Sequence, residues 1–141
     1  MTGWLLDTNV LSELHRPKPN AAIVQFVASQ PLELLYVSVV TFAEIRFGIE
    51  LVKDVSRRME LNDWLTHKLR PMFEDRVLEI GEDIMLKWRL LVDDGRKSSH
   101  TYSEPDLLIA ATALHHGLTI VSRDTREYGK ADVPVFNPWK A

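Results

Sequence analysis

Hydrophobic positions recur along this chain at two different periods. Short, mainly apolar runs at residues 4–6, 34–37, 76–80, 118–122 and 133–136 have the length of strands buried on both faces. Pro134 confines the last of them to a sheet edge, because proline cannot donate to a central ladder. Between these runs the spacing becomes helical. After Asp7, the positions Val10, Leu11 and Leu14 share one face of a helix that Thr8 or Asn9 can cap, and Asn20 caps a second helix faced by Ile23, Phe26 and Val27. From Ser38 onward Phe42, Ile45, Ile49 and Val52 form a stripe, and residues 56–70 carry Met59, Leu61, Trp64, Leu65 and Leu69 before Pro71 ends that helix. Residues 82–92 carry Ile84, Met85, Trp88, Leu91 and Val92, while the polar stretch 93–103 reads as a loop or a frayed helix end. Residues 104–114 are nearly uncharged beyond their first turn, which predicts a helix buried on most sides, opened by Pro105 and closed by Gly117.

Strands alternating with helices predict an α/β fold with a central, mainly parallel sheet of about five short strands. Right-handed crossovers then bring the carboxyl ends of the strands to one edge, where open α/β sheets bind their ligands. Trp64 and Trp88 each fall within an apolar helical stripe, so core or dimer-interface packing is the expected use of both rings rather than base stacking.

The totals narrow the class. A length of 141 residues with 45% hydrophobic content fits one domain over residues 1–141. The absence of cysteine removes disulfides, thiolate nucleophiles and Cys-based zinc sites. No apolar run approaches the roughly 20 residues of a membrane span, and the first residues lack the features of a signal peptide, so a soluble cytoplasmic protein is expected. With a net charge of -3 there is no global positive field to draw the chain onto nucleic acid. The basic pairs Arg57-Arg58, Arg96-Lys97 and Arg123 with Arg126 read as ordinary solvated surface.

Four acids remain to be explained. Asp7 and Asp124 follow strands, and Glu44 and Asp106 fall in the first turns of helices. Each has a bland reading: Thr41-x-x-Glu44 and Ser103-x-x-Asp106 resemble capping boxes, and any helix amino terminus favours an anion. Four such placements on one rim exceed what capping requires. Two carboxylates at about 5 Å repel by roughly 3 kcal/mol at an effective dielectric near 20, so a converged set needs a cation. Oxygen ligands without His or Cys select Mg²⁺ or Mn²⁺, and metal-activated water attacking phosphorus follows as the chemistry. His115-His116 lies in the last turn of its helix, and there is no His-Glu-x-x-His, glycine-rich phosphate loop or Gly-x-Ser-x-Gly elbow to support a rival site.

At these residues the chain resembles the PIN-domain ribonucleases, in particular the VapC-type toxins of bacterial toxin-antitoxin pairs. The resemblance rests on Leu5-Leu6-Asp7-Thr8-Asn9, Thr41-Phe42-Ala43-Glu44, the block from Pro105-Asp106 to Ala113, Val121-Ser122-Arg123-Asp124, and Phe136-Asn137-Pro138-Trp139 as a closing strand. It implies a three-layer α/β/α sandwich and a metal-dependent endoribonuclease that cleaves single-stranded RNA. It further implies a Mg²⁺ cofactor that Mn²⁺ can replace, a homodimer, and a cognate VapB-type antitoxin. Asp7, Glu44, Asp106 and Asp124 match the family's four acids, with Asp7, Asp106 and Asp124 holding the ion and Thr8 and Ser122 in support. The rival expectation is a non-catalytic module of the same fold, its acids acting as helix caps or as a docking surface for a basic partner.

Overall fold

The computed structural model describes residues 3–97 and 104–140. Five parallel strands form one sheet: β1 (Trp4–Leu6), β2 (Leu35–Ser38), β3 (Val77–Leu78), β4 (Thr119–Val121) and β5 (Val135–Phe136), in the spatial order β3-β2-β1-β4-β5. β1 is central, with Leu5 opposite Tyr36 on one side and Ile120 on the other. Pleating divides the strand residues between two cores. Leu6, Leu35, Val37 and Val121 pack with Val10, Leu11, Ile23, Phe42 and Phe73 on one face, whereas Leu5 and Ile120 pack with Ile84, Leu107, Ile109 and Tyr128 on the other. Both faces are covered, which is why these strands are apolar without alternation and why the sandwich has three layers.

The first face is covered by α1 (Thr8–Leu14), α2 (Ala21–Ser29) and α3 (Val39–Glu50), together with α4 (Val55–Trp64), a π-helical turn at Leu65–Leu69, and the short α5 (Arg70–Met72). The second face is covered by α6 (Glu82–Lys97), α7 (Glu104–His116) and α8 (Thr125–Lys130). Burying a Leu or Phe side chain contributes about 1.5–3 kcal/mol, so truncating the fully buried Phe73 to Ala would be among the most damaging single changes, at about 3–5 kcal/mol.

Several boundaries differ from expectation. Asp7 itself occupies the N-cap of α1, its carboxylate accepting the N–H of Thr8, so neither Thr8 nor Asn9 is the cap. Helix α3 begins at Val39 with Ser38 as its cap, whose hydroxyl accepts the Val40 N–H. The Thr41-x-x-Glu44 capping box is therefore not formed; Thr41 is buried, Thr8 donates its hydroxyl to that of Thr41, and Glu44 lies in the second turn. Pro71 does not terminate its helix. The wide turn before it, in which the Arg70 N–H reaches back to the Leu65 carbonyl, widens the backbone where the pyrrolidine ring would otherwise meet the preceding turn. Met59 and Met85 lie on exposed surface rather than in the core.

Helix α6 continues to Lys97, five residues beyond the apolar stripe, and an Asp93–Lys97 ion pair at 3.1 Å spans its last turn. The rest of the polar stretch, including Ser103 and its expected capping box, lies outside the described residues. At the far end of α7, Gly117 has a φ of 67° and the Leu118 N–H returns to the Ala113 carbonyl. That closure turns the chain directly into β4, as the glycine suggested. β5 is an edge strand, with the Pro134 carbonyl accepting from Ile120, and residues 138–140 form a 3-10 turn rather than continuing that strand. Trp64 packs against the first core and Trp88 against the second. No helix among the described residues is long and apolar enough to cross a membrane.

Candidate metal centre

Parallel pairing brings the carboxyl ends of β1 and β4 together. Leu6 is in register with Val121, and the Asp7 N–H donates to the Val121 carbonyl at 3.0 Å, so the side chains of Asp7 and Ser122 emerge side by side. Asp124 follows two residues later, and the first turn of α7 projects Asp106 toward the same point. One carboxylate oxygen from each of Asp7, Asp106 and Asp124 lies within 4.8 Å of the others. Three oxygens drawn from three separate elements at that spacing suit a single hard divalent cation. Asp7 is buried, Asp106 half-buried and Asp124 exposed, so the group grades from a closed floor to an open mouth.

The floor is bound tightly. Asp7 is 3% exposed and accepts from the Thr8 N–H (2.8 Å), the Ser122 hydroxyl (2.7 Å) and the Tyr128 hydroxyl (3.0 Å). Burial pushes its carboxyl above the ordinary aspartate value, against the opposing effect of those three donors, and the neighbouring Asp106 charge adds to the rise. A divalent ion is the natural compensation for a carboxylate placed in this way. Ser122 is a relay as well as a donor, since its hydroxyl accepts the Asp124 N–H at 2.9 Å and the Asn9 amide at 3.1 Å. Asn9 also donates to Asp124 at 3.4 Å and accepts the Arg123 N–H at 3.4 Å, which ties α1 to the loop after β4.

The acids open into a groove of about 560 Å³ that Glu44 also lines. Glu44 reaches it from the exposed side of α3 and makes no hydrogen bond or ion pair among the described residues. Arg16 brings positive charge to the groove, tethered by Glu13 at 3.3 Å. The buried Glu13 carboxylate also accepts the Asn20 N–H, a bond that, together with Arg16, holds its pKa below the ordinary glutamate value. Beside the site, the Arg123 guanidinium lies 4.4 Å from the centre of the Trp139 ring. All the expected site residues therefore share one edge, but only three acids converge, and Asn9 and Tyr128 belong to the network without having been anticipated there.

A three-layer sandwich whose central strands end beside clustered acids, opening on a groove, defines an α/β protein with a site suited to a divalent cation. The chain belongs to the PIN domain family, whose match extends over residues 4–133. It is 38% identical over 135 residues to Toxin FitB of Neisseria gonorrhoeae, covering 96% of this chain and 97% of that protein. It is 34% identical over 136 residues to VapC ribonuclease Y4jK of Sinorhizobium fredii, again covering 96% of this chain and 97% of that protein. The crystal structure of FitAcB from Neisseria gonorrhoeae superposes with a TM-score of 0.92 at 37% identity, covering 98% of this chain and 99% of that one.

Proposed function

We propose that this protein is a metal-dependent endoribonuclease that hydrolyses phosphodiester bonds in single-stranded RNA, acting as the toxin of a toxin-antitoxin pair. The observation that carries the reading is the convergence of Asp7, Asp106 and Asp124 within 4.8 Å. These three would hold Mg²⁺, for which Mn²⁺ can substitute. Once bound, the ion supplies positive charge opposite the phosphate and eases loss of a proton from the attacking water. Glu44, on the exposed wall, would orient that water or accept its proton. Ser122 and Thr8 support the arrangement, Ser122 by fixing Asp7 and Asp124 relative to one another and Thr8 by its N–H bond to Asp7.

Capping explains little of the arrangement. Asp124 sits at the N-cap position of α8 but makes no side-chain cap hydrogen bond, and Glu44 is outside the first turn of α3. Asp7 caps with its side chain through one oxygen, and its second oxygen is directed to Ser122 and Tyr128. The form of the non-catalytic module in which the acids serve as helix caps is disfavoured on those grounds.

The partner is a VapB-type antitoxin carrying an Arg that enters the acidic groove, since guanidinium supplies fixed bidentate donors to carboxylates. A homodimer is the expected assembly. Phe47 and Leu51 at the end of α3, with Val55 and Met59 on α4, are exposed and give either association an apolar surface. Incubating purified protein with mixed RNAs in Mg²⁺, Mn²⁺ or chelator, beside an Asp106→Asn control, tests the reading. Cleavage is expected to require metal and to disappear in the control. Cleavage that survives chelation, or an active Asp106→Asn protein, would overturn it.

A further inference from the structure

The Tyr128 hydroxyl occupies a position that packing alone does not call for. Four residues after Asp124 on the short α8, its side chain points back beneath the acidic rim, 1% exposed and set in the second core. The ring needs only apolar neighbours. Its hydroxyl instead reaches Asp7 Oδ2 at 3.0 Å and Asp106 Oδ1 at 3.4 Å. These carboxylates come from different elements, Asp7 from the end of β1 and Asp106 from the first turn of α7. Among the described residues, no other side chain hydrogen-bonds to both. The hydroxyl has a single proton, so it serves the two carboxylates as one shared, three-centre bond, the shorter arm to Asp7 and the longer to Asp106.

Without that donor the like charges of Asp7 and Asp106 are left to repel unscreened, and the half-buried Asp106 can swing toward solvent. We propose that Tyr128 is a positioning residue: its hydroxyl holds Asp7 and Asp106 at ion-binding spacing, so that metal affinity depends on it more than folding does. The inference rests on the reading that these acids hold a divalent ion. Outer groups that fix metal-binding carboxylates are commonly worth about 10–100-fold in affinity or activity.

The test is direct Mn²⁺ titration, following free Mn²⁺ by electron paramagnetic resonance, on wild type, Tyr128→Phe and Asp106→Asn. Phe keeps the ring and removes the oxygen, so the metal-free Phe protein is expected to melt within a few degrees of wild type. Its Mn²⁺ dissociation constant should rise about tenfold. Cleavage by the same protein should recover toward the wild-type maximal rate as Mn²⁺ is raised, shifting the metal dependence and leaving the saturated rate. A purely structural hydroxyl would not give that split. Wild-type affinity in Tyr128→Phe overturns the inference and leaves the metal reading intact. A Phe variant that loses its metal-free fold also overturns it, because the hydroxyl would then serve folding. Wild type that binds no Mn²⁺, or Asp106→Asn that binds it as tightly as wild type, defeats the metal reading, and the inference falls with it.

Discussion

Asp7 and Glu44 lie on one groove and are built in opposite ways. Asp7 is buried, receives three donors and carries a raised pKa, whereas Glu44 stands exposed on α3 with no such bond among the described residues. The floor of the site is thus organised in advance, with its electrostatic penalty already incurred on folding, and the wall is free to adjust. The difference teaches a division of labour: binding an ion draws on fixed carboxylates, and handling a water molecule beside a phosphate suits an acid that can move. Arg16 sharpens the contrast, because the groove's positive charge is tethered on its outer side by Glu13 and not inserted among the three aspartates.

The strongest test of that division removes charge from the floor. Asp7→Asn and Asp106→Asn should each lower RNA cleavage by about a thousandfold or more, the several kcal/mol that a correctly held ion contributes to a transition state. The metal-free Asp7→Asn protein should melt at or above the wild-type temperature. Asn keeps an oxygen for the Thr8 N–H, its amide faces the Tyr128 hydroxyl, which can rotate to accept, and the buried charge is gone. A loss of activity accompanied by a large fall in metal-free stability would mean that Asp7 serves the fold.

Metal titration of stability comes next. At a free concentration 100 times the dissociation constant, an ion that binds only the folded state stabilises it by about 2.7 kcal/mol, which is roughly 5–10 °C for a chain of this size. Scanning calorimetry with Mn²⁺ should show that rise in wild type and Glu44→Gln, and none in Asp7→Asn. Equal shifts in all three proteins would place the ion elsewhere.

The two halves of the comparison were not equally legible in the sequence. Asp7 ends an apolar run and Asp124 follows another, so a parallel sheet already brought them to one edge. Pro105-Asp106 opened a helix whose apolar character left its first turn as its only acidic end. Local pattern reached that far. It misplaced Glu44 by one turn because Ser38 and Thr41 are equally suited to cap, and only the end of β2 decides between them. It missed two members of the network around the floor: Tyr128 meets Asp7 across 121 positions, and Asn9 meets Ser122 across 113. The available signal was weak. A tyrosine four residues after Asp124 shares its helical face, and a buried tyrosine seeks a partner for its hydroxyl. The turn before Pro71 escaped for another reason, since proline reads as a stop and the widened backbone that admits it has no compositional mark.

Glu44→Gln probes the wall and should do less. If Glu44 acts on water or through it, cleavage at saturating metal falls about 10–100-fold, as for other groups outside the inner set of ligands. Mn²⁺ affinity should stay within a few-fold of wild type, and the melting temperature should hardly move, as for other exposed substitutions. A Gln variant that loses metal binding would put Glu44 among the direct ligands and erase the distinction between floor and wall.

The smallest effect concerns stability alone and sets Asp7 against Glu13, two buried acids at opposite ends of α1. Asp7 has its pKa raised, chiefly by burial, so its ionised form opposes folding; Glu13 has its pKa lowered, chiefly by the Asn20 N–H and then by Arg16, so its ionised form favours folding. Without metal at neutral pH, Asp7→Asn should therefore be at least as stable as wild type. Glu13→Gln should be less stable, since one amide oxygen can still serve Asn20 but the charge facing Arg16 is lost. Lowering the pH should close both gaps from opposite sides. For Asp7 the penalty is full above its raised pKa and disappears by about pH 4, where the unfolded chain is also protonated. For Glu13 the benefit is full above about pH 4 to 5 and is lost as pH falls through its lowered value. Denaturant unfolding of the three metal-free proteins from neutral to acid pH measures both. Gaps that open in the same direction would show that a single global charge effect, and not the separate surroundings of the two carboxylates, governs acid stability in this helix.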